Sequence, residues 1–143
     1  MKDKNSMTLT FSSVASNESF ARMAVSSFIM PLDPTISEIT DIKTAVSEAV
    51  TNSIIHGYEN HWGDVYLMCS YIGREIYIEI SDFGKGIPDI QKAMTPLYTS
   101  KPELERSGLG FTVMESFMDS LKVESIYGKG TKVIMTKKLS SKD

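Results

Sequence analysis

Cysteine is almost absent from this chain of 143 residues, in which Cys69 is the only one. A single thiol cannot form an internal disulfide, so the sequence fits a reducing compartment. Cys69 lies in a stretch that alternates apolar and polar residues, which favours a buried, unreactive thiol.

Long apolar runs are also lacking, because none approaches the roughly 18–20 residues that a membrane-spanning helix needs. No apolar segment of signal-peptide type follows the N-terminal lysines, so we expect a cytoplasmic protein with no membrane partner.

Several functional patterns are missing as well. The net charge is only −3, which gives no reason to expect direct binding to nucleic acid. His56 and His61 are the only histidines, and neither has a cysteine at metal-ligand spacing, which argues against a zinc site. The patterns G-x-x-x-x-G-K-S/T and G-x-S-x-G do not occur, so the chain has neither a Walker loop nor the nucleophile elbow of α/β-hydrolases.

Length and composition favour a single domain over residues 1–143, with polar ends at 1–6 and 140–143 that we expect to fray. Apolar periodicity predicts strands at 7–11, 64–72, 75–81, 122–127 and 131–137, and helices at 17–30, from 35 to about 57, at 88–93 and at 110–121. Helices combined with such a sheet indicate an α+β fold. The expected form is a two-layer α/β sandwich, with the helices on one face of a mixed, mostly antiparallel sheet.

The predicted helices also have expected core-facing stripes, which are Phe20, Ala24 and Phe28 in the first, Ile39, Ile42, Val46, Ala49, Val50 and Ile54 in the second, and Val113, Phe117 and Leu121 in the last. Thr35, with Glu38 three residues later, has the pattern of a capping box. Residues 94–107 show no periodicity, and a loop of this length is typical of a functional lid.

Glu48 and Asn52 carry the clearest chemistry in the sequence. They are four residues apart on a predicted helix, so both side chains leave the same face, away from the apolar stripe. A solvated helix surface is the plainer interpretation, but the flanking residues 49–55 are too apolar for an open face. The carbonyl oxygen of Asn52 suits a hard cation such as Mg²⁺. Glu48 suits a general base that takes a proton from a hydroxyl or water attacking a terminal phosphate.

The segment Asp82-Phe-Gly-Lys-Gly86 follows a predicted strand. It is either an ordinary turn or a place where a buried carboxylate accepts from an exocyclic amine, with Gly84 and Gly86 letting the backbone pass close to a base. Downstream, Gly128-Lys-Gly130 predicts a hairpin turn, and Thr131 after it is a candidate to line the same base pocket.

A second glycine segment, with Ser107, Gly108, Leu109 and Gly110, opens the last predicted helix. Free N–H groups at a helix N-terminus are suited to bind phosphate. Arg106, just before it, either reaches the terminal phosphate or is solvated. Far upstream, Arg22 is the only charge between Glu18 and Asp33. It is either an anchor in a partner interface or an arginine that snorkels from a core helix.

Taken in order, these residues resemble the ATP site of the GHKL superfamily, which has the Bergerat fold. The motifs are Glu48-x-x-x-Asn52, Asp82-x-Gly84-x-Gly86, Gly108-x-Gly110 and Gly130-Thr131. Three longer blocks, at 17–22, 48–58 and 99–111, are similar to the anti-sigma-F factor family of spore-forming bacteria. The resemblance covers about residues 7–139.

The resemblance implies a homodimeric protein serine kinase that uses ATP and Mg²⁺ and also binds and silences a sporulation sigma factor. The implied protein substrate is an anti-anti-sigma antagonist, phosphorylated on one serine. The matching positions imply these roles: Glu48 as catalytic base, Asn52 as magnesium ligand, Asp82 as adenine contact, Gly84 and Gly86 as the base pocket, and Gly108 and Gly110 as the phosphate lid.

Two other functions stay open. One is a detached histidine-kinase-like catalytic domain, although no helical pair with a phosphoacceptor histidine precedes the ATP motifs in this sequence. The other is a non-catalytic binding module that holds a nucleotide as a structural ligand and is gated by it. An intact Glu48 argues against that module.

Overall fold

The computed structural model describes residues 4–95 and 110–141 of the chain. Within them lie β1 (Lys4–Ser12), α1 (Asn17–Ile29), α2 (Ile36–Asn52), β2 (Asp64–Ile72), β3 (Glu75–Asp82), α3 (Ile90–Ala93), α4 (Gly110–Phe117), β4 (Ser120–Ile126) and β5 (Gly130–Lys138). A 3₁₀ turn, Met30–Leu32, follows α1, and a π-helical turn, Ser53–Gly57, extends α2. The order of strands and helices predicted from periodicity is confirmed, with shifted ends.

The strands form one sheet in the order β1-β2-β3-β5-β4, and each of its pairings is antiparallel. The sheet in the described ranges is therefore antiparallel throughout rather than mixed. Alternate strand residues are buried against the helices, namely Val65, Leu67 and Cys69 in β2, Ile76, Ile78 and Ile80 in β3, and Val133 and Met135 in β5. This period of two is typical of a sheet that is covered on one face. The predicted α+β fold of two layers is confirmed.

Helix α2 is the central helix of its layer and packs against both α1 and α4. It begins with the predicted capping box, in which Thr35 Oγ1 accepts from the Glu38 N–H at 3.0 Å and Glu38 Oε1 accepts from the Thr35 N–H at 2.8 Å. Its buried residues are Ile42, Ala45, Val46, Ala49 and Val50. The π-helical turn then contacts β3 and β5, which places the end of this helix over two interior strands of the sheet.

Two predicted stripes were wrong in part, although Phe28 and Leu121 do pack against the core. In α1 the buried apolar residues are Ala21, Val25 and Ile29, whereas Phe20 is 50% exposed. Both sets are apolar at the same spacing, so periodicity alone cannot select between faces one residue apart. Helix α4 ends at Phe117 and buries Gly110 and Met114, because β4 begins at Ser120 and Leu121 belongs to that strand.

The prediction of frayed ends was also wrong for part of its range. Lys4, Asn5 and Ser6 belong to β1 and pair with β2. At the other end, the Ser140 N–H donates to Glu38 Oε2 at 2.7 Å, and the Ser140 carbonyl accepts from Arg74 Nε at 2.6 Å. Within the two described ranges, no helix has the length and apolarity required to cross a bilayer.

Candidate functional site

A cavity opens where the end of α2, the loop after β3 and the start of α4 meet, and its volume is about 890 Å³ including the open mouth. It is lined by five of the residues that the sequence singled out, Asn52, Asp82, Gly86, Gly110 and Thr131. Residues more than seventy positions apart in the chain therefore form one wall, because the sheet and α2 hold their ends together.

Asp82 is the last residue of β3, and only 5% of it is exposed. The Gly84 N–H donates to Asp82 Oδ1 at 2.9 Å. Burial raises the pKa of the Asp82 carboxyl, while hydrogen bonds from the Gly84 N–H, the Ser53 hydroxyl and the Thr131 N–H oppose this rise. These donors fix a buried acceptor group at the cavity wall.

Gly57 and Gly84 contact each other beside that carboxylate. A Cβ on Gly84 would lie 2.1 Å from the carbonyl oxygen of Gly57, and a Cβ on Gly57 would lie 2.9 Å from the carboxylate of Asp82. The same Gly57 carbonyl accepts from the Lys85 N–H at 2.9 Å. The absence of both side chains lets the π-helical turn pack directly on the loop after β3.

Gly86 has a positive φ of 76°, and a Cβ there would lie 2.3 Å from the carbonyl oxygen of Ile126. The Gly128 N–H donates to the neighbouring Lys85 carbonyl. The sequence predicted that Gly84 and Gly86 leave room for a base. In the structure Gly86 lines the cavity and Gly84 does not, and both make close contacts with protein backbone that hold the loop after β3 against the π-helical turn and the β4–β5 turn.

Tyr58, which follows the π-helical turn, holds this loop from the other side. Its hydroxyl donates to the Asp64 carbonyl at 2.5 Å and accepts from the Phe83 N–H at 2.8 Å. Burial raises the pKa of Tyr58, so its hydroxyl stays protonated and able to donate at neutral pH. Tyr58 thus links the start of β2 to the end of β3, directly beside Asp82.

Glu48 and Asn52 are brought together with the first residue of α4. A Cβ on Gly110 would lie 3.2 Å from Asn52 Nδ2 and 3.4 Å from Glu48 Oε2. Both side chains therefore leave α2 on one face, as their spacing predicts, and that face is turned towards α4 rather than towards bulk solvent. A side chain at position 110 would crowd both groups.

Thr131 is the first residue after Gly130 in β5 and stands opposite Asp82 in the register of β3 and β5. Its hydroxyl lies 2.9 Å from Ser125 Oγ. Ser125 Oγ in turn accepts from the Ile87 N–H at 2.7 Å and donates to the Gly130 carbonyl at 2.9 Å. The hydroxyl of Thr131 is thus part of a hydrogen-bonded group that also holds the loop at Ile87.

The remaining predicted residues lie elsewhere. Arg22 is on α1, where its Nη1 atom is 3.2 Å from Glu18 Oε2, and it does not line the cavity. Four predicted residues fall outside the described ranges, and their roles stay predictions. They are Arg106, Ser107, Gly108 and Leu109.

Sequence reasoning missed several residues of the site, among them Ser53, Gly57, Tyr58, Lys85 and Ser125. Ser53, Gly57 and Lys85 line the cavity. The sequence predicts Gly57 only as the end of a helix. A glycine at that position also permits close contact between backbones, and this was the available signal that Gly57 belongs to the site. No local signal identifies Ser125 or Tyr58 as residues of the site, because the contacts that hold the loop after β3, with Ile87 and Phe83, join residues 38 and 25 positions apart.

Comparison with known proteins identifies the family of this chain. Residues 12–137 match the model of a family described as a histidine kinase-like ATPase domain, which implies that the chain binds ATP. A crystal structure of the RsbU and RsbW domains of a Mycobacterium tuberculosis protein superimposes with a TM-score of 0.70 over 96% of this chain and 33% of that one. Its sequence identity is 18%, so this likeness shows the fold alone.

Relatives of the same length are much more similar. The anti-sigma F factor of Clostridium kluyveri is 62% identical over 137 residues, which are 96% of each chain. That of Oceanobacillus iheyensis is 62% identical over 138 residues, covering 96% of this chain and 94% of the relative. That of a Thermoanaerobacter species is 59% identical over 141 residues, which are 99% of each chain. The chain therefore belongs to the anti-sigma F factors and carries a histidine kinase-like ATPase domain.

Proposed function

We propose that this chain is an ATP-dependent protein serine kinase as well as an anti-sigma factor. It transfers the terminal phosphoryl group of ATP to a serine of an anti-anti-sigma antagonist, and it binds and inhibits a sporulation sigma factor. The observation that carries the proposal is that Glu48 lies beside Asn52 and Gly110, which line a cavity together with Asp82. A base, a metal ligand, a helix N-terminus and an adenine contact are the parts that this reaction requires.

Asp82 is the proposed adenine contact. It is buried, held by three donors and turned into the cavity, so it can accept from an exocyclic amine. The N-terminus of α4 at Gly110 is the proposed phosphate end, since free N–H groups and the helix dipole favour an anion there. Arg106, Ser107, Gly108 and Leu109 would add to the phosphate contacts.

Asn52 is the proposed protein ligand of Mg²⁺. Within the described ranges no group of three or more histidine, cysteine, aspartate or glutamate residues is placed to hold a metal. An amide oxygen at the cavity wall fits an ion that binds phosphate oxygens and water and needs few protein ligands. When bound, the ion offsets the charge of the phosphate groups.

Glu48 is the proposed general base. It takes the proton of the attacking serine hydroxyl while the serine oxygen bonds to the terminal phosphorus and the bond to the bridging oxygen breaks, which leaves ADP. Its position one turn before Asn52 on a rigid helix holds the base and the metal ligand at a fixed separation.

The sigma-factor side of the proposal rests on the name that the relatives share and on the outer face of α1. There Phe20, Met23 and, just past the helix end, Met30 are each at least half exposed, with Arg22 beside them. Exposed apolar side chains around an arginine are typical of a protein interface. A homodimer and a cytoplasmic location complete the proposal, as the sequence resemblance implies.

The test uses the purified chain, radiolabelled Mg-ATP and a purified candidate antagonist, with Glu48→Gln as the variant. We expect acid-stable label on a serine of the antagonist and a loss of at least about 100-fold in transfer rate in Glu48→Gln, because a general base contributes about that much. ATP binding should be retained in this variant. Asp82→Asn is the matched control, since it should weaken ATP binding instead.

Other outcomes identify the alternatives. Acid-labile label on this chain would indicate histidine-kinase chemistry. ATP binding without any transfer would favour the non-catalytic module, and unchanged transfer in Glu48→Gln would remove Glu48 from the role of base.

A further inference from the structure

The hydroxyl of Ser125, beside the cavity, has a single proton but lies within hydrogen-bond distance of several groups. Ser125 Oγ lies within hydrogen-bond distance of three groups, the Ile87 N–H at 2.7 Å, the Gly130 carbonyl at 2.9 Å and the Thr131 hydroxyl at 2.9 Å. The backbone N–H can only donate, and the carbonyl can only accept. The direction of the third hydrogen bond is therefore set by the other two.

A serine hydroxyl has one proton and two lone pairs. In Ser125 the proton goes to the Gly130 carbonyl, and one lone pair accepts from Ile87. The remaining lone pair accepts from Thr131, so the hydroxyl proton of Thr131 points away from the cavity. This is the arrangement in which all three contacts are hydrogen bonds.

At this part of the cavity wall, Thr131 and Asp82 then both present acceptors. Thr131, with its proton committed to Ser125, presents only lone pairs to a ligand. Asp82 stands opposite it in the strand register and, when ionised, also only accepts. Two neighbouring acceptors favour a ligand group with two N–H donors and disfavour one that presents a carbonyl oxygen.

We propose that Ser125 is a positioning residue that sets base selectivity, by fixing the Thr131 hydroxyl as an acceptor so that the site prefers a 6-amino purine over a 6-oxo purine. The inference rests on the proposed ATP site and on Asp82 as the adenine contact. Ser125 does not line the cavity and acts through Thr131. Its contact to Ile87 also supports the loop, and that effect should weaken all nucleotides alike.

The experiment measures the dissociation constants of Mg-ATP and Mg-ITP for the full chain by calorimetry. ITP carries a carbonyl where ATP carries the amine. We expect the wild-type chain to prefer ATP, and we expect Ser125→Ala to reduce that preference about tenfold, because the freed Thr131 proton can be donated to the carbonyl of ITP. Ser125→Thr keeps a hydroxyl and should keep the preference. Thermal unfolding of each variant shows whether it is folded.

Thr131→Val supplies the second test. It removes the acceptor and should itself reduce the preference, and Ser125→Ala should then add no further reduction in the double variant. A fall in both affinities with an unchanged ratio in Ser125→Ala, or a further reduction in the double variant, would overturn the inference while leaving the kinase proposal intact. Equal binding of ATP and ITP by the wild-type chain would also overturn it. A wild-type chain that does not bind ATP would overturn the proposed function as well.

Discussion

At the scale of single residues, the glycines of the site are required for different physical reasons. Gly84 has no positive φ, and its requirement is space, because a Cβ would lie 2.1 Å from the Gly57 carbonyl oxygen. Gly128 has a φ of 86° and open space around the position of a Cβ, so its requirement is conformational. The sequence around the two glycines does not show which of these reasons applies. Only the packing in the structure distinguishes them.

This difference predicts the effects of two alanine substitutions. Gly84→Ala forces backbone to move at the cavity and should cost about 2–3 kcal/mol of unfolding free energy together with most of the ATP affinity. Gly128→Ala should cost about 1 kcal/mol from left-handed strain and leave ATP affinity within about twofold. Urea unfolding and calorimetry measure the two quantities. Equal losses of affinity in both variants would contradict the assignment of Gly84 to packing at the site.

At the scale of elements, the start of α2 also anchors the end of the chain. Glu38 accepts from the Thr35 N–H in the capping box and from the Ser140 N–H in the tail. Burial by itself would raise the pKa of Glu38, but these hydrogen bonds outweigh it and the pKa is lowered. A helix cap and a chain terminus therefore depend on the same carboxylate.

The lowered pKa predicts how stability depends on pH. A carboxyl whose pKa is lower in the folded chain stabilises it above the pKa of the unfolded chain, and this contribution is lost as the pH falls through the lowered folded value. Glu38→Gln should cost about 0.5–1 kcal/mol of unfolding free energy at neutral pH, and the difference from wild type should shrink in acid. Glu115→Gln, at an exposed position on α4, removes the same charge and is the control. A difference that stays constant with pH would count against this role of Glu38.

At the scale of the whole molecule, the cavity and the outer face of α1 are formed by different elements. No residue of α1 is among those that line the cavity in the described ranges. Its inner face is buried in the core, whereas Met23 on its outer face is 53% exposed. Partner binding and nucleotide binding should therefore be separable by mutation.

Met23→Glu tests this separation. A charge on the proposed interface should weaken capture of the sigma factor at least about tenfold, as loss of an interface anchor typically does. The affinity for ATP and the melting temperature should not change, because the residue is exposed. Trp62→Glu is a matched control, since Trp62 is 74% exposed and lies outside α1. Binding assays with the purified sigma factor would contradict the proposal if Trp62→Glu had the larger effect.

The sequence predicted most of the fold and part of the site for identifiable reasons. Capping at Thr35, the stripe of α2 and the alternation in β2 and β3 depend on neighbours within a few residues, and all are confirmed. The spacing of Glu48 and Asn52 placed them on one helix face for the same reason. The predicted buried faces of α1 and α4 were wrong in part, because each helix has two apolar stripes and the packing on α2 and the sheet decides which one is buried.

By itself, then, the sequence determined the order of elements, the two-layer fold and the residue types that suit a nucleotide, because these follow from local periodicity and from side-chain chemistry. The tertiary structure alone decided which groups meet. The contact of Gly57 with Gly84, the tie of Tyr58 to Phe83 and the link from Ser125 to Ile87 join segments that are 25 to 38 residues apart. Such contacts depend on strand register and on helix packing, which no short stretch of sequence specifies.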